Sequence, residues 1–455
     1  MARHKGLNRS SGGGIIGKFF LTLSTLAVIA GLAAAFFLFE MEKPSIRLGQ
    51  EIHVLGGKAE FSFEVADGKS GLRAVEVVLQ QGDKAVPLLT KDFPRSSWID
   101  GGPKKESAKV SFNTKQAGLK EGAAELILTV RDQSLMGFFR GNRTVTTIPV
   151  TIDTTAPVVA IKNARRYIRP GGSAVVVYTV SEEPSRHGVM LGTTFFPGFP
   201  STKKGEYLAY FALPWNAKSA DAAKVIALDK AGNEAQAGFT IIFKPVQERH
   251  DTINLSDSFF EQKLPEFRQH YPELKGDSLT QFLYVNNDIR RENAKKITEL
   301  CTHPEMAQLW HDRFERMPGA GRAQYADQRT YVYQGKAVDE ETHLGVDIAS
   351  LAQSEVRAAN KGKVIFAEYL GIYGNTIILD HGQGLYSLYC HLSSIGVTPG
   401  SIAEKGQPMG KTGSTGMAGG DHLHLSMLVH GIFVTPVEWW DQHWIDVNIK
   451  AALNE

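Results

Sequence analysis

The stretch His422-Leu423-His424-Leu425 alternates histidine with leucine. In a β-strand, side chains two residues apart project from one face. The alternation therefore predicts a strand that points both histidines to one side and both leucines into a core. Upstream, strands are predicted at 363–368, 375–380 and 385–392, and Gly382-Gln383-Gly384 joins the last two as a tight hairpin. From about residue 319 the chain is predicted to be a glycine-rich β domain.

Two earlier segments carry matching polar side chains. In Tyr389-Cys390-His391-Leu392, strand alternation predicts that Tyr389 and His391 share a face and that Cys390 points away from it. In His343-Leu344-Gly345-Val346-Asp347, the histidine and the aspartate are four residues apart, which fits one face of a helix or of a strand. The glycine between them favours extended chain.

These side chains suit a catalytic zinc ion. Zinc in hydrolases takes three ligands from His and carboxylate groups and keeps one position open for water. Neutral histidine also transfers protons near pH 7. Any one of these residues could instead be a satisfied core residue, but together they predict a one-zinc site with three ligands and two proton-handling histidines. The candidates lie between positions 343 and 424: His343, Asp347, His391, His422 and His424.

Two other protease designs are excluded. The sequence has no His-Glu-x-x-His motif, so the helical zinc-protease arrangement is absent. Cys390 and His391 are neighbours on a predicted strand and point to opposite faces, whereas a thiol protease needs its Cys and His to face each other.

The C-terminal part resembles the LytM/lysostaphin (M23) family of zinc metallopeptidases. The resemblance covers roughly residues 319–440 and rests on four segments: Val356-Arg357-Ala358-Ala359 to Gly362-Lys363-Val364-Ile365, Tyr373-Gly374-Asn375-Thr376 to Gly382, Gly413-Ser414-Thr415-Gly416 and Asp421-His422-Leu423-His424. It implies a small, mostly antiparallel β domain with the metal in a groove. It also implies endopeptidase cleavage of peptidoglycan peptides.

The family pattern implies a role for each candidate. His343, Asp347 and His424 match its zinc ligands, and His391 and His422 match its catalytic pair. Asp421 stands where the family often has Pro, and Leu425-Ser426 replaces a common Phe-Glu. Some members have lost their ligands and only activate other wall hydrolases, but all five positions are intact here.

The N-terminus predicts a membrane anchor. Residues 19–39 carry no charge and are long enough to cross a hydrocarbon core of roughly 30 Å. Basic residues precede the run and Glu40 follows it, so the positive-inside rule predicts that residues 40–455 lie in the periplasm or outside the cell. A cleavable signal peptide is the alternative, although its apolar core is usually only about 7–15 residues long.

The whole chain is predicted to be a mostly β multidomain protein. After a cytoplasmic stub and anchor (1–43), alternating segments predict β-sandwich modules at 44–152 and 153–246, which resemble immunoglobulin-like modules. Three capping boxes, at 258–261, 278–281 and 302–305, predict short helices within 247–318. This segment is either a spacer or a gate over the groove. The peptidase domain is assigned to 319–445 and a tail to 446–455.

Composition limits the remaining functions. Two Cys exclude a disulfide scaffold, although a Cys301–Cys390 disulfide stays open. A net charge of +2 gives no reason to expect nucleic acid as a partner. We therefore predict a single-pass, membrane-anchored zinc metalloendopeptidase acting on peptidoglycan peptides, with a protein partner for the β modules. The alternative is a non-catalytic regulator of another cell-wall hydrolase.

Overall fold

The computed structural model describes residues 13–95, 101–164, 167–220 and 222–453, and this part of the chain is mostly β with short helices. It divides into two compact units. The first comprises residues 1–156 and 230–233, and the second comprises residues 157–229 and 234–455. The predicted mostly β, multidomain fold is confirmed.

Helix α1 (Gly13–Leu38) contains most of the predicted membrane span. Ala34, Phe37 and Leu38 of that span lie outside the residues whose side chains the structure describes. Among the helices that are described, none is long and apolar enough to cross a membrane. The anchor therefore stays a prediction from the sequence.

The first unit is a β-sandwich. A sheet of order β1-β3-β6 packs on a sheet of order β2-β8-β7-β4-β5. The apolar–polar alternation at 59–65, one of the segments that predicted this module, lies in β3 (Lys58–Ala66). Phe61, Phe63 and Val65 of this strand are buried, while the residues between them are more exposed. Burial of each such side chain contributes on the order of 1.5–3 kcal/mol. Its elements are β1 (Ser45–Leu48), β2 (Val54–Leu55), β3 (Lys58–Ala66), β4 (Leu72–Gln81), β5 (Lys84–Asp92), β6 (Lys105–Asn113), β7 (Gly122–Asp132), the turn-like α2 (Met136–Phe139) and β8 (Arg143–Ile152).

The second unit begins with another sandwich. Its sheets have the orders β14-β15-β11-β9 and β13-β12-β16-β17, with a small β10-β18 pair beside them. Strand β11 is buried along almost its whole length, which explains the continuous apolar run at 174–178. The strands are β9 (Val159–Ala164), β10 (Tyr167–Ile168), β11 (Ser173–Val180), β12 (Arg186–Leu191), β13 (Thr194–Pro197), β14 (Phe199–Pro200), β15 (Glu206–Ala212), β16 (Ala223–Leu228), β17 (Glu234–Phe239) and β18 (Ile242–Phe243).

The segment 247–318 is only partly helical. It opens with strand β19 (Arg249–Leu255), followed by α3 (Asp257–His270), α4 (Ser278–Tyr284), a π-helical turn and α5 (Arg290–Leu300). The first two helices begin slightly earlier than their capping boxes predicted, because Ser256 and Asp277 accept the first amide hydrogen bonds.

The third predicted helix, from Thr302, is wrong. Residues 302–318 are described throughout and contain no helix. Their backbone groups bond to the following domain instead: the Glu305 amide donates to Asp380, and the Leu309 amide donates to the His381 carbonyl. Tertiary hydrogen bonds therefore replace the helical ones.

The C-terminal part is built on one antiparallel sheet of order β20-β23-β31-β27-β26-β25-β29, to which β32 adds beside β31. Smaller sheets β19-β21-β22 and β24-β30-β28 flank it. The elements are β20 (Ala320–Ala323), β21 (Asp327–Tyr333), β22 (Lys336–His343), β23 (Val346–Ala349), β24 (Glu355–Arg357), β25 (Gly362–Tyr369), β26 (Asn375–Asp380), β27 (Leu385–Leu392), β28 (Ser394–Ile395), β29 (Ile402–Ala403), β30 (Pro408–Lys411), β31 (Leu423–Val429), β32 (Ile432–Val434), α6 (Pro436–Trp440), α7 (Gln442–Ile445) and α8 (Ala451–Leu453).

The second sandwich and the C-terminal sheet share one hydrophobic core. Trp439 is fully buried there against Tyr210, and Arg169 forms an ion pair with Glu438 at 2.9 Å. Within the stretch predicted as a tail, 446–455, the side chains of Ile449, Ala452 and Leu453 are buried in that core. Residues 454–455 lie outside the described part.

Candidate metal centre

Two neighbouring strands of the main sheet and the end of a flanking strand bring three of the candidates together. His343 ends β22, Asp347 lies in β23 and His424 lies in β31. Asp347 and His424 are direct partners across the antiparallel pair β23–β31, so their side chains stand on the same face. A two-residue turn, Leu344-Gly345, brings His343 back beside them.

The three side chains converge to hydrogen-bond distance. His343 Nε2 lies 3.0 Å from Asp347 Oδ1 and 2.9 Å from His424 Nδ1, and His424 Nδ1 lies 3.0 Å from Asp347 Oδ1. All three residues are buried. The structure therefore assembles a compact His-Asp-His cluster that could hold a metal ion.

In His343 and His424, the ring nitrogen that points away from the cluster donates a hydrogen bond to a protein group. The nitrogen that points into the cluster is therefore free to bind a cation. The Nδ1–H group of His343 donates to the Gln324 carbonyl at 2.9 Å, which leaves a lone pair on Nε2. In His424, Nε2 donates to the Ser426 hydroxyl at 3.0 Å, and that hydroxyl donates to the Leu344 carbonyl. Two nitrogen lone pairs and a carboxylate oxygen thus face each other, which is the donor set that zinc prefers.

Arg329 supports this arrangement from β21. Its Nη2 donates to Asp347 Oδ2 at 3.1 Å, so that Oδ1 is the oxygen turned toward the histidines. Burial opposes the charge on Asp347, but His343, His422 and His424 hold its pKa well below the usual range. Arg329 roughly matches an arginine of the family pattern, although the residues around it agree poorly. Strand alternation could not indicate it, because β21 belongs to a different sheet from the strand of Asp347.

His391 reaches the cluster through an unusual backbone conformation. It is the next-to-last residue of β27 and has a positive φ of 62°, which a non-glycine residue adopts only when its surroundings enforce it. Its Nδ1–H group donates to the Thr415 carbonyl at 2.8 Å, which leaves a lone pair on Nε2. Burial, followed by the neighbouring His422 and His424, lowers the pKa of His391 well below its usual value.

His422 lies at the open side of the cluster. Its Nδ1–H group donates to the Gly420 carbonyl at 2.8 Å, and its Nε2 lies 3.5 Å from Asp347 Oδ1. The ring centroids of His391 and His422 are 4.8 Å apart. Burial works against protonation of His422, but the carboxylate of Asp347 outweighs it and raises the pKa.

The predicted orientation of Cys390 is wrong. Cys390 is the direct partner of His424 across β27–β31, so both side chains lie on one face of the sheet, while Tyr389 lies on the other. His391 would have followed Tyr389 if its φ had stayed in the β region. The Cys390 thiol is fully buried, and burial raises its pKa well above the usual value, which makes it unreactive. Cys301 and Cys390 are free thiols.

The helical segment forms one wall of the cleft around the cluster. Ile253, Phe259 and Arg290 line this cleft together with the histidines. Lys263 of α3 donates to the Ser414 carbonyl, and Glu266 Oε1 accepts the Gly416 amide at 2.6 Å. The segment therefore holds the 413–416 loop, whose Thr415 carbonyl orients His391.

Comparison with known proteins agrees with this geometry. Residues 341–436 match the family model of Peptidase family M23. The C-terminal domain belongs to peptidase family M23. The matched range contains all five candidates. Family members generally are zinc metallopeptidases, although some are non-catalytic.

Two curated relatives of this M23 domain cover the same part of the chain. The DD-carboxypeptidase/endopeptidase Mpg of Neisseria meningitidis is 37% identical over 95 residues, which are 21% of this chain and 22% of the relative. The murein hydrolase activator EnvC of Escherichia coli is 36% identical over 95 residues, 21% of this chain and 23% of the relative. The chain thus spans under a quarter of the length of these relatives.

Among solved structures, the catalytic domain of lysostaphin from Staphylococcus simulans is 26% identical. The structural match covers 27% of this chain and 92% of the lysostaphin domain, with a TM-score of 0.24. The family assignment rests on the sequence match and not on this likeness.

Proposed function

We propose that this protein is a membrane-anchored zinc metalloendopeptidase that hydrolyses peptide bonds in the crosslinks or stem peptides of bacterial peptidoglycan. The convergence of the five polar residues on one cleft carries the proposal. Three of them offer ligand atoms within 4.8 Å of one another, and the other two stand beside them. A merely structural polar cluster would not need five such groups beside an open cleft.

The ligands would be His343 through Nε2, Asp347 through Oδ1 and His424 through Nδ1. When bound, zinc supplies a Lewis acid for the scissile carbonyl and makes water a nucleophile at neutral pH. Arg329 and the Ser426 hydroxyl orient the ligands from behind, in the way that outer groups tune metal ligands in general.

The second histidine pair handles protons. The hydrogen bond from His391 to Thr415 fixes the tautomer whose Nε2 can accept a proton from the attacking water. The hydrogen bond from His422 to Gly420 likewise leaves Nε2 on the side of Asp347. Together the two rings can accept that proton and return one to the leaving amine.

The substrate and the location are part of the proposal. Two relatives of the domain are named a DD-carboxypeptidase/endopeptidase and a murein hydrolase activator, which together support wall peptides as the substrate. The uncharged run at 19–39 supports an anchor in the inner membrane, with residues 40–455 in the periplasm or outside the cell. The β modules would then bind a protein partner or set the distance from the membrane to the wall.

The alternative is a non-catalytic regulator that activates another wall hydrolase. A relative of similar identity is named a murein hydrolase activator, which keeps this alternative open. The intact five-residue set favours the enzyme, because an activator has no need of a proton-handling pair beside a metal cluster.

Mass spectrometry of purified peptidoglycan treated with the full chain tests the proposal. We expect the protein to hold one zinc ion and to release muropeptides shortened at a peptide bond. Peptidoglycan that stays intact with the zinc-loaded protein alone would count against the enzyme. If a second hydrolase then cleaves it faster with this protein present than without it, the result would favour the regulator.

A further inference from the structure

Three buried carboxylates meet in the first unit, within a single β-sandwich and outside the peptidase domain. Asp67 follows β3, Asp132 ends β7 and Glu40 lies two residues beyond α1. The exposed fraction is 3% for Glu40, 3% for Asp67 and 0% for Asp132. Each offers an oxygen atom, and these three atoms lie within 4.8 Å of one another.

In Glu40 and in Asp67, only one of the two carboxylate oxygens accepts a hydrogen bond from a backbone amide. The Ser70 amide donates to Glu40 Oε2 at 2.7 Å, and the Gly71 amide donates to Asp67 Oδ2 at 2.6 Å. The other oxygen of each, Glu40 Oε1 and Asp67 Oδ1, is buried without a hydrogen-bond partner. Buried polar atoms without partners are rare, because each loses its hydration without compensation.

Within the described residues, no Lys, Arg or His forms an ion pair with any of the three carboxylates. The nearby Lys69 instead approaches the exposed Glu42, at 3.8 Å. Burial, followed by the charge of Asp67, raises the pKa of Glu40 to about 7, which shows how strongly the cluster resists its own negative charge. Either a shared proton or a cation must compensate it.

We propose that the carboxylates of Glu40, Asp67 and Asp132 bind a calcium ion. All the donors are hard oxygens, as calcium prefers. Backbone amides already hold one oxygen of Glu40 and one of Asp67, which restricts movement of the free oxygens toward the near-ideal octahedron that magnesium demands. Calcium accepts irregular surroundings with six to eight oxygens, which water molecules can complete.

The ion ties the start of the chain to the sandwich. The Glu40 carbonyl already accepts hydrogen bonds from Ser134 Oγ and Asn142 Nδ2, at 3.1 and 3.0 Å. Calcium adds a link through the Glu40 side chain to the loop after β3 and to the end of β7. It thereby stabilises the first unit and fixes the segment that leaves α1, whatever reaction the second unit catalyses.

Equilibrium dialysis with radioactive calcium tests the site in the full chain. The protein is first loaded with zinc and kept above pH 7, where the Glu40 carboxyl is ionised. We expect one calcium ion per chain, with a Kd at or below about 1 mM, the weak end for extracellular modules. Calcium should also raise the Tm of the wild-type protein, whereas magnesium should not.

Matched variants separate the cluster from the general negative charge of the surface. Asp67→Asn and Glu40→Gln, which keep the size of the side chain, should each weaken calcium binding at least about tenfold. Glu60→Gln removes an exposed carboxylate of β3 and should bind as the wild type does. Circular dichroism verifies that each variant is folded. If one of the two cluster variants does not fold, the other still tests the site.

Three results would overturn the proposal. The first is no binding to the wild-type protein up to about 10 mM calcium, ten times the expected limit. This result would leave the shared proton as the means by which the cluster is neutralised. The second is calcium binding that both cluster variants retain. The third is an equal response to magnesium, which would contradict the choice of calcium.

Discussion

Asp347 and His424 are direct partners on neighbouring antiparallel strands, and Oδ1 of the one lies 3.0 Å from Nδ1 of the other. Two side chains fixed in this way by a backbone ladder need little further ordering to bind a metal. The third, His343, joins through a turn of only two residues. The precision of the cluster therefore depends on groups immediately behind it.

Arg329 is such a group, and Arg329→Met should lower the zinc affinity by about 10–100-fold, the usual cost of losing a partner behind a ligand. The reason is that Asp347 Oδ2 loses its donor and Oδ1 is no longer aimed at the histidines. Competition with a chelator measures the affinity. Arg322→Met, at an exposed position of β20, is the control. Unchanged affinity in Arg329→Met would show that the strands alone orient Asp347.

Gly345 should be sensitive to even one added carbon atom. A Cβ there would lie 2.4 Å from His424 Nε2 and 2.7 Å from Ser426 Oγ, so Gly345→Ala must displace the ligand or its hydrogen-bond partner. We expect zinc affinity and peptidoglycan cleavage to fall at least about tenfold. Gly321→Ala, where the nearest atom is a side-chain nitrogen 3.5 Å away, should leave both unchanged. Equal zinc affinity and equal cleavage in the two variants would contradict the expected clash of a Cβ at position 345 with His424 and Ser426.

The sequence was sufficient for the histidine cluster but not for the route by which each residue reaches it. Strand alternation correctly directed His422 and His424 to one face and Leu423 and Leu425 to the core. It failed at His391, because a single positive φ reverses the expected side and no pattern of residue types signals it.

The helices show another limit of local signals. Capping residues identified the starts of α3 and α4 to within two positions. They failed after Thr302, because the backbone there finds its partners in a domain distant along the sequence. The core that the second sandwich shares with the C-terminal sheet, which contains Trp439, could not be predicted for the same reason.

The helical segment should support the catalytic loop instead of gating it. Glu266 accepts the Gly416 amide, and the preceding carbonyl of Thr415 orients His391. Glu266→Ala should therefore lower kcat about tenfold or more, with the zinc content unchanged. Glu266→Gln keeps an acceptor oxygen and should retain most of the activity. A rise in activity in Glu266→Ala would instead identify the segment as a gate.

The second unit should lose stability in acid through His381. This ring is fully buried, with Nδ1 donating to the Lys361 carbonyl, and burial lowers its pKa from 6.5 to about 4. The unfolded chain therefore binds the proton first, so the contribution is complete above pH 6.5 and is lost as the pH falls toward 4. At about 1.4 kcal/mol per pKa unit, the loss is on the order of 3 kcal/mol.

Thermal unfolding at several pH values between about 4 and 6.5 measures the loss of stability that is due to His381. His381→Gln should flatten the pH dependence of the Tm of the second unit, whatever it does to stability at neutral pH. His303→Gln, at an exposed position, should leave the pH dependence as it is in the wild type. The same slope in His381→Gln and the wild type would contradict the assignment.

The central claim is that His391 handles protons beside a metal that other residues hold. The most direct measurement combines zinc analysis and peptidoglycan cleavage on the full chain carrying His391→Ala. The account predicts one zinc ion per chain, as in the wild type, and no release of muropeptides. Full cleavage activity in this variant, or loss of its zinc, would contradict the division of the five residues into ligands and a catalytic pair.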